Sequence, residues 1–129
     1  MTQFVGEHQR SIDEKGRVII PSEYRQLLGE SFVIARGFDK QLSLYPAEEW
    51  TKYFNKYAEG DEKNEDVRRQ RRKVSRSARN AKQDSQGRMC IPQELRDFAS
   101  IENSVTFIGD TTHIELWDSG ELQRYDEEG

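Results

Sequence analysis

Two short segments of the sequence place an arginine directly after a tight turn, where its side chain could bind phosphate or the edge of a base. Both segments have the pattern Asp-x-x-Gly-Arg, which ends at Arg17 in the first and at Arg88 in the second. A guanidinium group is planar and pairs with phosphate or guanine through two parallel hydrogen bonds. Lys15 lies inside the first turn, where its ammonium group could contact phosphate. These three cations are candidate contacts to nucleic acid.

The other residues of the two turns are interpreted as structural. An aspartate that opens a turn can accept hydrogen bonds from the turn amides, and a glycine at the fourth position tolerates positive φ. The structural turn residues predicted in this way are Asp13, Gly16, Asp84 and Gly87. For Arg17 the alternative to a nucleic-acid contact is an ion pair with Asp13 that braces the turn, and the contact is favoured. For Arg88 the two roles have equal support.

The turns belong to a repeat that organises most of the chain. When residues 13–25 are aligned with residues 84–96, seven identities recur at one fixed spacing. The identical positions in the first copy are Asp13, Gly16, Arg17, Ile20, Pro21, Glu23 and Arg25. Each copy predicts two strands joined by the turn, a short helix and a β-hairpin. Two modules of this size cannot bury both faces of their strands separately, so we expect them to share one core.

Helical sequence separates the two copies. Aromatic residues at helical spacing predict an apolar face on a helix that begins after Pro46, and these residues are Trp50, Tyr53, Phe54 and Tyr57. A second helix is predicted from about Glu65 to Asn80. The predicted organisation is a first module at residues 7–50, a helical connector with a basic run at 51–77, a second module at 78–121 and a short C-terminal tail at 122–129.

Positive charge is concentrated in this connector although the net charge of the chain is −4. Residues 67–82 contain eight basic residues and no acidic one, whereas residues 84–129 contain three basic and eleven acidic residues. Arg68, Arg69 and Arg72 are therefore further candidate DNA contacts. Like charges spaced four residues apart destabilise a helix, and an acidic surface on another subunit would relieve this repulsion. That intersubunit contact has the same support as DNA contact.

Several classes of function are not expected from the sequence. It has no long apolar run for a membrane span and no basic-then-apolar start of a secretory signal. A single cysteine cannot form an internal disulfide, which favours the reducing cytoplasm. No cluster of His, Cys, Asp and Glu has the spacing of metal ligands, and no glycine-rich phosphate loop is present. We therefore expect no enzymatic activity, metal or cofactor. Cys90, at the position of Ile19 in the first copy, is predicted to lie in the core.

Several motifs together resemble the MraZ family, which belongs to the wider SpoVT/AbrB group. They are the doubled Asp-x-x-Gly-Arg with its following Ile-Pro, the stretch Leu-Tyr-Pro-x-x-x-Trp at 44–50 and the stretch Ile-Glu-Leu-Trp-Asp at 114–118. The resemblance extends from Phe4 to Trp117. It implies an α+β fold in which two tandem AbrB-like swapped-hairpin modules form a double β-barrel core with flanking helices.

The same resemblance implies a function and a partner. It implies a transcription regulator, a repressor of the bacterial division and cell-wall gene cluster, that binds repeated promoter boxes on double-stranded DNA. The protein would act as a ring-shaped homo-oligomer in the cytoplasm and nucleoid, without a membrane or small-molecule substrate as partner. The basic residues of the family's first turn correspond to Lys15 and Arg17.

The sequence also departs from the family pattern. Gln86 replaces a basic residue at the position equivalent to Lys15, so the second turn is less positive. Lys73, Ser75 and Arg76 stand where the family tends to have apolar residues. Two alternative functions remain open, namely an antitoxin-like protein-interaction module and a nucleoid-associated ring protein without sequence preference. The short, structured C-terminus counts against the first of these.

Overall fold

The computed structural model describes residues 3–58 and 63–129, and for residues 57 and 58 it describes only the backbone. The predicted mixed α+β structure is confirmed. The strands are β1 (Glu7–Ser11), β2 (Arg17–Ile19), β3 (Ser31–Arg36), β4 (Leu42–Pro46), β5 (Arg79–Lys82), β6 (Arg88–Cys90), β7 (Ser104–Asp110) and β8 (His113–Asp118). The helices are α1 (Ser22–Leu28), α2 (Ala47–Ala58), α3 (Glu65–Ser77), α4 (Gln93–Phe98) and α5 (Ser119–Glu128). Within these ranges, no helix has the length and apolar character needed to cross a membrane.

Short helices begin in the same way in both halves of the chain. Pro21 precedes α1 and Pro92 precedes α4, so each proline ends a short strand and lies where a missing N–H costs the helix nothing. Helix α1 ends at Gly29, which has φ of 87° and donates its N–H to the Arg25 carbonyl at 3.1 Å. These local signals produce the order strand, strand, helix, strand, strand before α2 and again after α3.

The main sheet interleaves the two halves. Its six strands follow the order β1-β7-β8-β4-β3-β5, and every neighbouring pair is antiparallel. Strand β1 pairs with β7 of the other half, and β5 pairs with β3 of the first half. Neither half can therefore separate without breaking a strand pair.

A separate two-stranded ribbon carries the segments that follow the two turns. Strands β2 and β6 pair with each other and with no other described strand. The predicted double β-barrel is therefore not found among the described strands, because neither strand of the ribbon pairs with a strand of the main sheet. The result is an open six-stranded sheet and a ribbon that is joined by the turns to the edge strands β1 and β5.

One hydrophobic core lies between the ribbon and the sheet and contains residues from both halves. Along each strand alternate side chains point to opposite faces, so only one face contributes to this core. The buried residues of the ribbon and the two short helices include Val18, Tyr24, Leu28, Met89 and Leu95, and those of the sheet include Phe32, Ile34, Leu44, Phe107, Ile114 and Leu116. Burial of each large aliphatic side chain stabilises the fold by about 1.5–3 kcal/mol.

Helices α2 and α5 pack on the opposite face of the sheet. Tyr45 of β4 stacks on Tyr53 of α2, with ring centroids 4.9 Å apart, and lies at 5.6 Å from Trp50. Trp117 of β8 contacts Tyr125 of α5 at 5.1 Å. The predicted aromatic face of α2 is thus found for Trp50, Tyr53 and Phe54, whereas the Tyr57 side chain lies outside the described residues.

Two further sequence-based expectations are wrong. The second connector helix ends at Ser77 rather than near Asn80, because residues 79–82 form β5 and pair with β3, with Ala81 against the core. Cys90 is exposed rather than buried. Alternation in the ribbon buries Met89 and turns both neighbours of Met89 outward, and the equivalent Ile19 is exposed for the same reason.

Candidate nucleic-acid interface

The ribbon has one buried face and one exposed face. Its register pairs Arg17 with Cys90, Val18 with Met89 and Ile19 with Arg88. Val18 and Met89 are each only 2% exposed and face the core. The outer face of the ribbon is therefore formed by the four residues Arg17, Ile19, Arg88 and Cys90. The two arginines lie on a diagonal of this face, with Cα atoms about 8 Å apart from ideal strand spacing.

The first turn holds Arg17 through Asp13. One carboxylate oxygen, Oδ1, accepts the backbone N–H groups of Lys15 and Arg17, both at 2.9 Å. The other, Oδ2, accepts the Arg17 Nε–H at 2.8 Å. The backbone N–H and then the side chain of Arg17 lower the pKa of Asp13 below its ordinary value of 3.8. Gly16 closes the turn with φ of 83°, which favours glycine.

The second turn repeats this geometry. Asp84 Oδ1 accepts the N–H groups of Gln86 at 2.9 Å and Arg88 at 3.0 Å, and Oδ2 accepts the Arg88 Nε–H at 2.7 Å. The backbone N–H and then the side chain of Arg88 lower the pKa of Asp84 below 3.8. Gly87 has φ of 79°. The repeated sequence thus produces two turns with the same internal hydrogen bonds.

Bracing of the arginines and contact with a ligand are compatible in this geometry. Each arginine donates Nε–H to its own aspartate, and no other described residue accepts from the two side chains. The side chains remain 58% exposed at Arg17 and 55% exposed at Arg88. Lys15 is also exposed, and its ammonium group has no partner among the described residues. The turn therefore orients a guanidinium group whose terminal nitrogens still face solvent.

Two further arginines, which were not among the candidate residues expected from the sequence, support the turns. Arg25 lies over Gly87, so a Cβ atom built on that glycine would be 2.2 Å from the arginine Nε. Arg96 lies over Gly16 in the same way, at 2.6 Å. Both arginines also donate Nε–H to a backbone carbonyl, at 2.8 and 2.9 Å. Each half thus supports the turn of the other half. The signal was present, because both arginines recur in the repeat.

The basic helix α3 forms a different surface. Arg69 pairs within the helix with Glu65 at 3.0 Å and Asp66 at 3.4 Å, Arg72 is exposed and Arg68 is half-buried. The helix packs on α2 and β3, whereas the ribbon packs against β1 and β5. The structure therefore does not unite the connector arginines with the arginines of the ribbon.

Another cation of the basic run has a partner within the chain. Arg79 of β5 forms an ion pair with Glu94 of α4 and donates to the carbonyl oxygens of Arg76 and Ala78 at 3.0 and 2.9 Å. Acidic sequence from the C-terminal half thus neutralises part of the basic run without a second subunit.

A polar cluster lies at the β7–β8 hairpin, on the sheet face turned away from the core. Potential ligand atoms of Asp110, His113 and Glu115 lie within 4.8 Å of one another. The sequence contains no cluster with the spacing of metal ligands, and strand pairing brings these three side chains together. His113 Nε2 lies 3.5 Å from Asp110 Oδ2, and Glu115 accepts hydrogen bonds from Gln41 and Trp117, both at 3.1 Å. The three side chains are therefore in contact with one another or with neighbouring side chains of the same chain.

Together the fold and the site define a class of protein. It is an α+β protein with one core, in which two interleaved halves present an arginine-bearing β-ribbon.

Comparison with known proteins gives the family. A family model described as "MraZ protein, putative antitoxin-like" matches residues 3–73 and 75–129. A relative from Acetivibrio thermocellus, named Transcriptional regulator MraZ, is 42% identical over 122 residues, which cover 95% of this chain and 85% of the relative. Relatives of the same name from Clostridium tetani and Alkaliphilus oremlandii are each 38% identical, covering 96% and 95% of this chain and 87% and 85% of the relatives. The chain belongs to the MraZ family.

Proposed function

We propose that this chain is a sequence-specific DNA-binding transcription regulator that contacts DNA with the outer face of the ribbon. The observation that carries the proposal is the pair of exposed arginines, each oriented by an aspartate of its own turn. The major groove of B-DNA admits a two-stranded β-ribbon, and arginine recognises guanine there through two hydrogen bonds. The name shared by the relatives, Transcriptional regulator MraZ, supports a role in transcription.

The proposed roles follow from the environment of each side chain. Arg17 and Arg88 contact base edges or nearby phosphates, and Lys15 contacts phosphate. Immobilising a flexible side chain on binding costs about 0.5–1.5 kcal/mol. Because the turns already restrict the two arginines in the free protein, part of this cost is avoided when they bind DNA. The aspartates and glycines of the turns act through this geometry and do not touch DNA.

The basic helix has a secondary role in this proposal. Arg68, Arg69 and Arg72 add phosphate contacts on DNA that extends beyond the ribbon, or they pair with the acidic surface of a neighbouring subunit. Removal of phosphate contacts lowers the dependence of binding on salt, whereas loss of a subunit contact changes the oligomeric state. The two roles are therefore separable by experiment.

The proposal includes tandem modules and self-assembly. The pairing of β1 with β7 and of β5 with β3 supports two swapped-hairpin modules in one chain. One subunit presents few cations, so it binds weakly alone. A ring-shaped homo-oligomer repeats the ribbon at fixed spacing and raises the effective concentration on repeated boxes. Occupation of boxes that overlap a promoter would repress the division and cell-wall gene cluster. In this proposal the protein acts in the cytoplasm and nucleoid.

The test is binding of the purified full chain to the DNA upstream of its own gene and to a random-sequence duplex of equal length. We expect preference for the upstream fragment and a steep loss of affinity between about 50 and 200 mM salt. Lys15→Ala and Arg17→Ala should weaken binding while circular dichroism shows a retained fold. Lys52→Ala is the charge-matched control, because Lys52 is exposed on α2 and remote from the ribbon in sequence. Unchanged binding by both turn variants would contradict the role of the ribbon.

A second candidate is a protein-interaction module, which the words "antitoxin-like" in the family description favour. The C-terminal segment that could wrap a partner forms helix α5 in this chain, where Asp118 caps it by accepting the Glu121 N–H at 3.1 Å. The same titration separates the functions. Absence of duplex binding at low salt favours the interaction module, and equal affinity for both duplexes favours a nucleoid protein without sequence preference.

A further inference from the structure

The two ends of the ribbon are alike in their arginines and different in the exposed residues beside them. We define the lysine end as Lys15, Arg17 and Cys90, and the glutamine end as Gln86, Arg88 and Ile19. Lys15 and Gln86 occupy equivalent positions of the repeat, as do Ile19 and Cys90. The outer face therefore carries two equivalent arginines whose exposed neighbouring residues differ.

Strand pairing brings each set together from both halves of the chain. Ile19 is opposite Arg88, and the next residue, Ile20, donates its N–H to the Gly87 carbonyl at 2.8 Å. Ile19 of the first half thus lies beside the second turn. At the other end the Cys90 thiol contacts the Lys15 carbonyl oxygen at 3.4 Å. Each end contains residues of both halves because β2 pairs with β6, so its composition is not visible in either copy of the repeat alone.

The side chains that distinguish the glutamine end have no evident structural role. Ile19 is 47% exposed, although large aliphatic side chains are mostly buried. Gln86 is exposed, and its side-chain amide has no partner among the described residues. Its backbone is nevertheless fixed, because its N–H donates to Asp84 at 2.9 Å. A carboxamide on a fixed backbone and an exposed aliphatic group therefore lie next to the same arginine.

These chemical groups match one base pair. In the major groove adenine presents the N7 acceptor and the N6 amino donor, and a carboxamide can bond both. Thymine presents a methyl group to which an aliphatic side chain can pack. Lysine has three donors and no acceptor, so Lys15 suits phosphate or the two acceptors of guanine instead.

We propose that the glutamine end reads an A·T base pair, with the Gln86 amide on adenine and the Ile19 side chain against the thymine methyl group. The lysine end binds phosphate and guanine without contact to a thymine methyl group. One chain therefore recognises a site that has a direction, in spite of its internal repeat. This inference rests on the proposed function and specifies what the same ribbon recognises.

The experiment begins with selection of duplexes from a random-sequence library by the full chain. The enriched duplex is then synthesised with uracil in place of each thymine in turn, which removes one methyl group, and with 7-deazaadenine in place of each adenine. For the wild-type chain we expect one uracil position to weaken binding about fourfold. One 7-deazaadenine position in the same base pair should weaken it by roughly fivefold or more.

Variants assign these effects to residues. Ile19→Ala should bind the unmodified duplex about fourfold more weakly and should no longer respond to uracil at that position. Gln86→Ala should lose the response to 7-deazaadenine in the same way. Val5→Ala is the matched control, because Val5 is also an exposed aliphatic residue but lies outside the ribbon, and this variant should respond like the wild-type chain. Lys15→Gln should make the ends more alike and add preference for a second A·T pair.

The outcomes distinguish the two proposals. If the chain binds no duplex, the proposed function itself is wrong. If it binds selectively but no uracil substitution affects the wild-type chain, reading by the glutamine end is wrong and the proposed function stands. The same conclusion follows if Ile19→Ala keeps the wild-type response to uracil.

Discussion

The ribbon and helix α3 both expose arginines, but the contacts that orient these arginines differ. In the ribbon each arginine is bonded through its backbone and its side chain to an aspartate of the same turn, and Val18 and Met89 fix the opposite face in the core. Helix α3 has no buried residue in its described length, and Arg69 pairs only with acidic residues one turn away on the same helix.

This contrast separates the amount of charge from its placement. Helix α3 and β5 together contain eight basic residues, whereas the outer face of the ribbon has two. Diffuse positive charge attracts DNA of any sequence, but base recognition requires a donor held at a defined position. We therefore expect the smaller set of arginines to determine specificity and the larger set to adjust affinity.

The largest expected effect tests this contrast directly. The double variant Arg17→Ala/Arg88→Ala should lose roughly a hundredfold or more in affinity for the preferred duplex, since each base contact by arginine contributes about 1–3 kcal/mol. The triple variant of α3, in which Arg68, Arg69 and Arg72 become alanine, removes more positive charge but should lose less than about tenfold. Fluorescence anisotropy at several salt concentrations measures both.

The salt dependence provides the control for this pair of variants. The α3 variant should show a shallower slope of log affinity against log salt, with its preference among duplexes retained. The ribbon variant should lose that preference. If instead the α3 variant loses preference and the ribbon variant keeps it, the helix is the recognition surface.

Local structure was predictable from the sequence where neighbouring residues determine it. The turns, the helices after the two prolines and the glycine at the end of α1 all depend on residues within one segment. The partners of β1 and β5 depend on the other half of the chain, and no local pattern specifies them. The end of α3 was misplaced for the same reason, since β5 pairs with β3 in spite of a sequence that favours helix.

The candidate site was predictable to a similar extent. Arg17 and Arg88 follow from the repeated motif, but the roles of Arg25 and Arg96 require the contact between each arginine and the turn of the other half. Exposure of Cys90 was missed because a three-residue strand is too short to show alternation in sequence. The Asp110, His113 and Glu115 cluster needs the pairing of β7 with β8, which brings Asp110 opposite His113.

A matched pair of substitutions compares how firmly the two regions are held. Val18→Ala removes the same atoms in the ribbon as Val74→Ala removes in α3. Val18 lies in the core, so its truncation should lower the free energy of unfolding by about 1.5–3 kcal/mol. Val74 is half-buried, and alanine favours the helix by about 0.5 kcal/mol, so the net loss should be less than about 1 kcal/mol. Urea unfolding measures both, and equal losses would show that α3 is anchored as firmly as the ribbon.

The smallest expected effect concerns acid and the bracing carboxylates. Hydrogen bonds from Arg17 and Arg88 lower the pKa of Asp13 and Asp84 below 3.8, so these groups stabilise the fold above that value. Their contribution is lost as the pH falls below 3.8 through their folded pKa values. The variant Asp13→Asn/Asp84→Asn keeps an oxygen for the turn amides but loses the charge. Its melting temperature should lie below that of the wild type at pH 6 and approach it near pH 3. A difference that persists unchanged to pH 3 would mean that turn geometry rather than charge makes the aspartates important, and the arginines would then be oriented by the backbone alone.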